Sequence, residues 1–244
     1  MLAQRDIRLR YRQTALGVVW VVLQPLVAAI IFTVVFGRLV QVPSDGVPYV
    51  VFAFAGLLGW SFFASAVGRA GNSLVGQSHL VTKVYFPRVL LPVASVGAAV
   101  VDLVVALPVL LVLMPVHGIW PGPQILALPL FLLFIAVLAC GIGFWISALS
   151  VYYRDFSFAM PFVIQVWMYV TPVVFPASLI PERWRWVFAL NPLFLGLEGI
   201  RWAAFGKGTL TLPLAASSAA VAVLICVGGL VFFRRLERRF ADVI

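Results

Sequence analysis

Charge is scarce in this sequence. Asp, Glu, Lys and Arg make up a tenth of its 244 residues, where a soluble domain carries about 25%. No polar stretch is long enough to build a water-soluble domain. Acidic residues number eight, histidines two and cysteines two. Cys140 and Cys226 both lie inside apolar runs without metal-ligand spacing to each other, and read as small apolar filler. No metalloprotease helix motif occurs, and His79 and His117 fall in connecting segments. Gly59-Trp60-Ser61-Phe62-Phe63 has the glycine and serine of a nucleophile elbow but lacks its closing glycine. Gly206-Lys207-Gly208-Thr209 shares a Gly-Lys pair with phosphate-binding loops. Arg201 stands where the first glycine belongs, and Gly208 where Ser or Thr belongs. An intramembrane enzyme would need a nucleophile, base or metal set that these residues do not provide. The chain is read as non-enzymatic, with no catalytic residue, metal ligand or cofactor of its own.

What is present is apolar sequence, 64% of the chain. Runs near ~20 residues, enough to cross the hydrocarbon core of a bilayer, recur. Six spans are expected, near 17–40, 48–68, 89–114, 124–149, 157–177 and 211–233. Proline and glycine punctuate them at Pro43 to Gly46, Pro115 to Pro123 and Pro176 to Pro181. The whole of 1–244 reads as one transmembrane domain. Its parts are an interfacial segment (1–16), spans one to five (17–177), an outer region (178–210) and a last span with its tail (211–244). The first apolar run is too long for a signal peptide and no small-residue cleavage site follows, so it reads as retained. The net charge of +9 belongs to membrane topology, not to nucleic-acid binding. With the N-terminus inside, twelve of the 17 Lys and Arg residues fall on the inner face and five on the outer. Both termini are therefore expected in the cytoplasm.

Arg5, Arg8, Arg10 and Arg12 lie in a short basic, amphipathic stretch ahead of the first span. Such a helix lies along a membrane surface with its arginines toward anionic head groups. An anchor that only sets orientation has the same composition. The loop 69–88 is the one substantial inner connection; Asn72 or Ser73 is placed to cap a short helix there. A soluble motor needs such a helix to push on, and a solvated loop without a partner reads the same. Asp102 lies mid-span, where an acid costs about 2.5–3.5 kcal/mol on insertion scales, so it should face the bundle or a partner. Ala94, Gly97 and Ala98 offer a small face for helix packing. Between Pro176 and Leu210 the chain is aromatic but broken at Asn191-Pro192 into pieces too short to span. These either lie on the outer surface or dip in and return where protein shields the backbone. Glu198 and Arg201, three apart, can pair on one helix face.

At 100° per residue, three spans show ordered faces. On the first, Gln24 and Arg38 align with Trp20, Val27 and Ile31. On the second, Tyr49, Phe52, Trp60 and Phe63 share an arc with Gly56. On the fifth, Phe158, Phe162, Gln165 and Tyr169 align with Pro172. Aromatic rings stack on the apolar faces of sugars and glutamines bond hydroxyls, so these faces suit the lining of a path. For any one aromatic, ordinary packing or an interfacial belt is the simpler account; the glutamines aligned with aromatics favour a path on the faces that carry them.

Leu9-Arg10-Tyr11-Arg12, Leu16-Gly17, Trp20 and Leu23-Gln24-Pro25 resemble the opening of type-2 ABC-transporter permeases. Val84 to Arg88, Tyr152 to Phe156 and Asn191-Pro192-Leu193 follow in the order of the branch that exports O-antigen, capsular polysaccharide and teichoic acid. The resemblance covers nearly the whole chain. It implies an all-α polytopic membrane protein of six transmembrane helices, with an N-terminal interfacial helix and short re-entrant helices before the last span. It further implies a multi-pass protein of the bacterial inner membrane, working as a homodimer that exports lipid-linked polysaccharide, most closely O-antigen. Teichoic acid, a drug or another lipid is the alternative cargo. ATP and Mg belong to a separate ATP-binding cassette subunit. In this family that subunit docks on the first inner loop, here Asn72, Ser73, Leu74, Gln77, His79, Leu80 and Lys83.

Overall fold

The computed structural model describes residues 17–83, 86–237 and 240. The basic stretch carrying Arg5, Arg8, Arg10 and Arg12 lies outside the described residues. Among the described residues there is helix and no strand. The first span is α1 (Gly17–Phe32), prolonged by a π-helical segment, Thr33–Leu39. Next come α2 (Tyr49–Gly71), the short α3 (Ser73–Gly76) and α4 (Ser78–Lys83), and α5 (Leu90–Val116). A 3₁₀ turn, Pro123–Ala127, leads into α6 (Leu128–Tyr152), followed by α7 (Asp155–Val170). The short α8 (Glu182–Ala189) and α9 (Leu193–Phe205) precede α10 (Leu212–Leu236). Proline in the first turn of α6 and α10 fits a position whose N–H has no helical partner. Gly206, at φ +66°, closes α9 by donating its N–H to the Trp202 carbonyl at 2.9 Å.

Five of these helical segments are long and apolar enough to cross a membrane. The fifth expected span, near 157–177, is shorter than the sequence suggests. α7 has 16 residues, about 24 Å of rise against a hydrocarbon core of ~30 Å. Pro172 drives the residue before it out of the helical region, and Thr171 is extended at ψ 138°. The rest of the crossing is irregular backbone. Thr171 and Val173 are fully buried, as non-helical chain at membrane depth must be.

α2 is the axis of the bundle, with 17 of its 23 residues buried. α1 and α5 pack on it, as do α6 and α9; α7 rests on α2 and α6, and α10 packs on α6. Gly59 lets this happen. A Cβ there would stand 2.7 Å from Leu197 and 2.8 Å from Ile200 of α9. The expected small face of α5 does not serve close packing at Gly97, where a Cβ would meet open space. Asp102 faces the bundle and pairs with Arg69 of α2. Each is thereby compensated at a depth where an isolated charge is expensive.

At the end of the bundle where α2 finishes, a second cluster forms. Leu74, Leu91, Phe144, Val151, Phe233 and Phe240 pack together, and Arg88 donates to the Glu237 carbonyl. Asn72 stands at the N-cap of α3 without a side-chain capping bond. Its Nδ2 donates back to the Gly68 carbonyl at 3.1 Å, and Ser73 Oγ to the Ala70 carbonyl at 2.7 Å. Both side chains therefore close the end of α2 and leave the α3 N-terminus uncapped.

Candidate functional site

Three faces group by helical angle in the sequence, and the structure treats them differently. On α7 the side chains of Phe158, Phe162 and Tyr169 are 83%, 69% and 67% exposed, with Gln165 exposed between them. Ile164 is the buried residue of that helix, so α7 rests on its neighbours by a narrow edge. On α1, Trp20 and Ile31 are about half exposed and Gln24 is exposed; Arg38, exposed as well, lies on the π-helical segment that prolongs it. Both helices pack beside α2, and both present an aromatic or polar stripe that is left exposed among the described residues. Gln24 also borders a small, mainly apolar cavity of about 100 Å³ that Ser61, Ser65 and Asp102 line as well.

The α2 face is a correction. Tyr49, Phe52, Trp60 and Phe63 are all buried, and their role is internal. Tyr49 Oη donates to the Val174 carbonyl at 2.5 Å. The Phe52 ring lies 4.0 Å beneath the Arg201 guanidinium, and Phe63 meets Trp167 of α7 edge-on at 5.3 Å. Gly56, on the same arc, has no side chain because the Val173 carbonyl and Arg201 occupy that space. The arc that resembled a channel wall is the surface on which the irregular segment 171–176 and α9 are laid.

Arg201 holds that segment. Its Nη1 meets Glu198 Oε1 at 2.9 Å and its Nη2 meets the Val173 carbonyl at 2.6 Å. Glu198 Oε2 accepts from the Thr209 N–H and hydroxyl, both at 3.3 Å. The Glu198–Arg201 pairing expected from their spacing is present, and both side chains are buried. Asn191 ties the other side: its Nδ2 donates to Thr171 Oγ1 at 2.8 Å. Its Oδ1 accepts from Trp167 Nε1 at 3.2 Å and from the Leu193 N–H at 3.1 Å. Ser218 of α10 donates to the Asn191 carbonyl at 3.1 Å. Sequence reasoning marked Asn191-Pro192 only as a break. The junction it makes with Trp167 and Thr171 joins residues 20 and more apart, which no periodicity reveals.

The segment 72–83 divides in two. Ser73 and Leu74 are buried, so these two docking candidates face inward. Leu74 anchors the segment on α6 and α10 through the Phe144 and Phe233 cluster, a position in which a leucine contributes about 1.5–3 kcal/mol. Asn72, Val75, Gly76, His79 and Lys83 are exposed, with Gln77 and Leu80 partly so.

Over its whole length the chain is 27% identical to the O-antigen export system permease protein RfbA of Klebsiella pneumoniae, covering 93% of that protein. It is 30% identical to RfbA of Myxococcus xanthus, covering 94%. Over 78% of its length it is 23% identical to the polysialic acid transport protein KpsM of Escherichia coli, covering 74% of it. A family model, ABC-2 type transporter, matches residues 1–205. A buried helical axis flanked by two helices with uncovered polar and aromatic stripes, and matches spanning the full chain, lead to one conclusion: this polytopic all-helical membrane protein belongs to the ABC-2 type transporter family.

Proposed function

We propose that the chain is the membrane permease of a polysaccharide exporter and works as a homodimer, with the stripes of α1 and α7 lining a shared path. The observation that carries this is the exposure of Phe158, Phe162, Gln165 and Tyr169 along one face of α7, a helix that buries only Ile164 in the protomer. One protomer is too small to surround a polymer, and two copies facing through α1 and α7 supply four such stripes. Rings stack on sugar faces and glutamines bond hydroxyls. Each contact is weak, and a path must bind well enough to admit its cargo and loosely enough to release it. The cargo class is lipid-linked polysaccharide of the O-antigen kind, by likeness to relatives so named.

The motor is a separate ATP-binding cassette subunit seated against the exposed part of 72–83, at Val75, Gln77, His79, Leu80 and Lys83. Asn72 lies at the edge of that surface. Leu74 carries the push into α6 and α10 from beneath. Both termini and this segment are cytoplasmic, from the excess of Lys and Arg on that side. The 171–205 region, pinned by Arg201 and Asn191, forms the outer mouth. The deciding experiment is export of surface polysaccharide by cells carrying Gln165→Trp. A bulky side chain there should block export while the amount of assembled complex stays at the wild-type level. Normal export at normal protein level would exclude α7 from the path.

A further inference from the structure

Residues of α5, α6 and α10 line an open groove of about 450 Å³ to which α1 and α7 contribute no residue. That is three times a cavity of ~150 Å³ that stays dry and takes up benzene. Its lining is apolar throughout, from Gly97 and Val100 through Leu133 and Phe144 to Leu230. Water has no partner there. The groove is open where the missing side chain of Gly97 leaves free space, and Leu133 and Val227 at its rim are more than half exposed.

Its dimensions select the occupant. Leu133 and Phe144, at opposite ends of the α6 wall, are eleven residues apart. At 1.5 Å per residue this is about 16 Å, half of a ~30 Å hydrocarbon core. The groove therefore spans about half a hydrocarbon core along the middle of α6, and on α5 and α10 its lining lies toward the ends at Leu90 and Leu236. A transmembrane helix of a partner would need a groove of twice that length. Charge selects further. Leu230 lines the groove, and Arg234 stands one turn beyond it on α10, exposed and without a bonded partner among the described residues. Arg235 beside it is exposed as well. A basic residue at the mouth of an interhelical groove fits a lipid phosphate.

We propose that this groove binds one acyl chain of an anionic phospholipid, with the phosphate at Arg234. The site is separate from the proposed path and does not depend on it. The test uses the full chain in nanodiscs of phosphatidylcholine doped with phosphatidylglycerol that carries a photoreactive group midway along one acyl chain. Illumination should concentrate labelling on peptides containing residues 93–100, 133–144 and 226–230. Gly97→Leu places a side chain in the open space and should reduce that labelling several-fold. Val104→Leu, exposed on the same helix outside the groove, should not. Arg234→Gln should lower the preference for the phosphatidylglycerol probe over a phosphatidylcholine probe about fivefold. Labelling spread over every exposed apolar face, or unchanged by Gly97→Leu, would overturn the site. Equal labelling by both head groups would overturn its anionic preference. Displacement by a polyprenyl phosphate but not by phosphatidylglycerol would reassign the groove to another lipid. Chain-to-chain cross-links from Val227→Cys, in place of lipid labelling, would reassign it to a second copy.

Discussion

Arg201 and Glu198 stand three residues apart on α9 and meet at 2.9 Å with both side chains buried. Around them stand the two carbonyls of Val173 and Phe175, the Thr209 hydroxyl and the Phe52 ring, while Arg201 Nε is buried without a hydrogen-bond partner. This pair is the staple between the irregular end of the α7 crossing and the helix that follows it. Breaking a buried pair from one side leaves a charge without compensation, at a cost of about 3–5 kcal/mol. Arg201→Met should therefore sharply reduce the amount of folded protein in the membrane and its thermal stability in detergent. Glu198→Gln/Arg201→Met should recover part of the loss relative to Arg201→Met. Equal loss in both would show that the bonds from Arg201 to the Val173 and Phe175 carbonyls, not the ion pair, carry the stability.

The three aromatic faces predict opposite phenotypes for the same substitution. Phe63→Ala removes a fully buried ring and should cost about 3–5 kcal/mol of stability. Phe162→Ala removes a ring that is 69% exposed and should leave stability unchanged within experimental error. Tyr169→Asp should leave assembly intact yet hinder an anionic glycan. Thermal unfolding of the purified variants, set beside surface polysaccharide in cells, separates the two classes. Loss of assembly in Tyr169→Asp would place that face against lipid.

Cross-linking should divide the 72–83 segment by burial. Cysteine at exposed Val75 or His79 should capture the ATP-binding subunit, and cysteine at fully buried Leu74 should not. Leu74→Ala should cost about 2–5 kcal/mol by opening the cluster with Phe144 and Phe233. Capture from Arg154 with none from Val75 would move the interface to the turn between α6 and α7.

Orientation is tested by reagents that do not cross the membrane. A cysteine in place of Trp120, 80% exposed after α5, should react from outside intact cells. Asn72→Cys, exposed at the other end of the bundle, should react only after permeabilisation. The opposite pattern would invert the topology and every side assigned to it.

The spans were legible because a bilayer demands local properties. About 20 apolar residues, proline and glycine between them, and a bias of basic residues are all written along the chain. The Glu198–Arg201 pairing was legible for the same reason, since neighbours one turn apart on a helix meet wherever that helix lies. The stop of α7 was present too, in Pro172, although the apolar run continues past it and hides the break.

Helical periodicity groups residues by angle, and it contains nothing about what stands opposite. The stripes of α1 and α7 each carry a glutamine and that of α2 has none, which favours the first two as path lining, but the angle alone does not show which stripe is covered. Tertiary structure decided between them. Gly56 and Gly59 let the 171–176 segment and α9 come within contact of α2, so its aromatics became core. α7 buries one residue and keeps its stripe outside. The same holds for Leu74, which local sequence places on a polar loop. It is buried in one cluster with Phe144 and with Phe233 and Phe240, more than 150 positions later, because burial is a property of neighbours brought together by the fold and not of the residue itself.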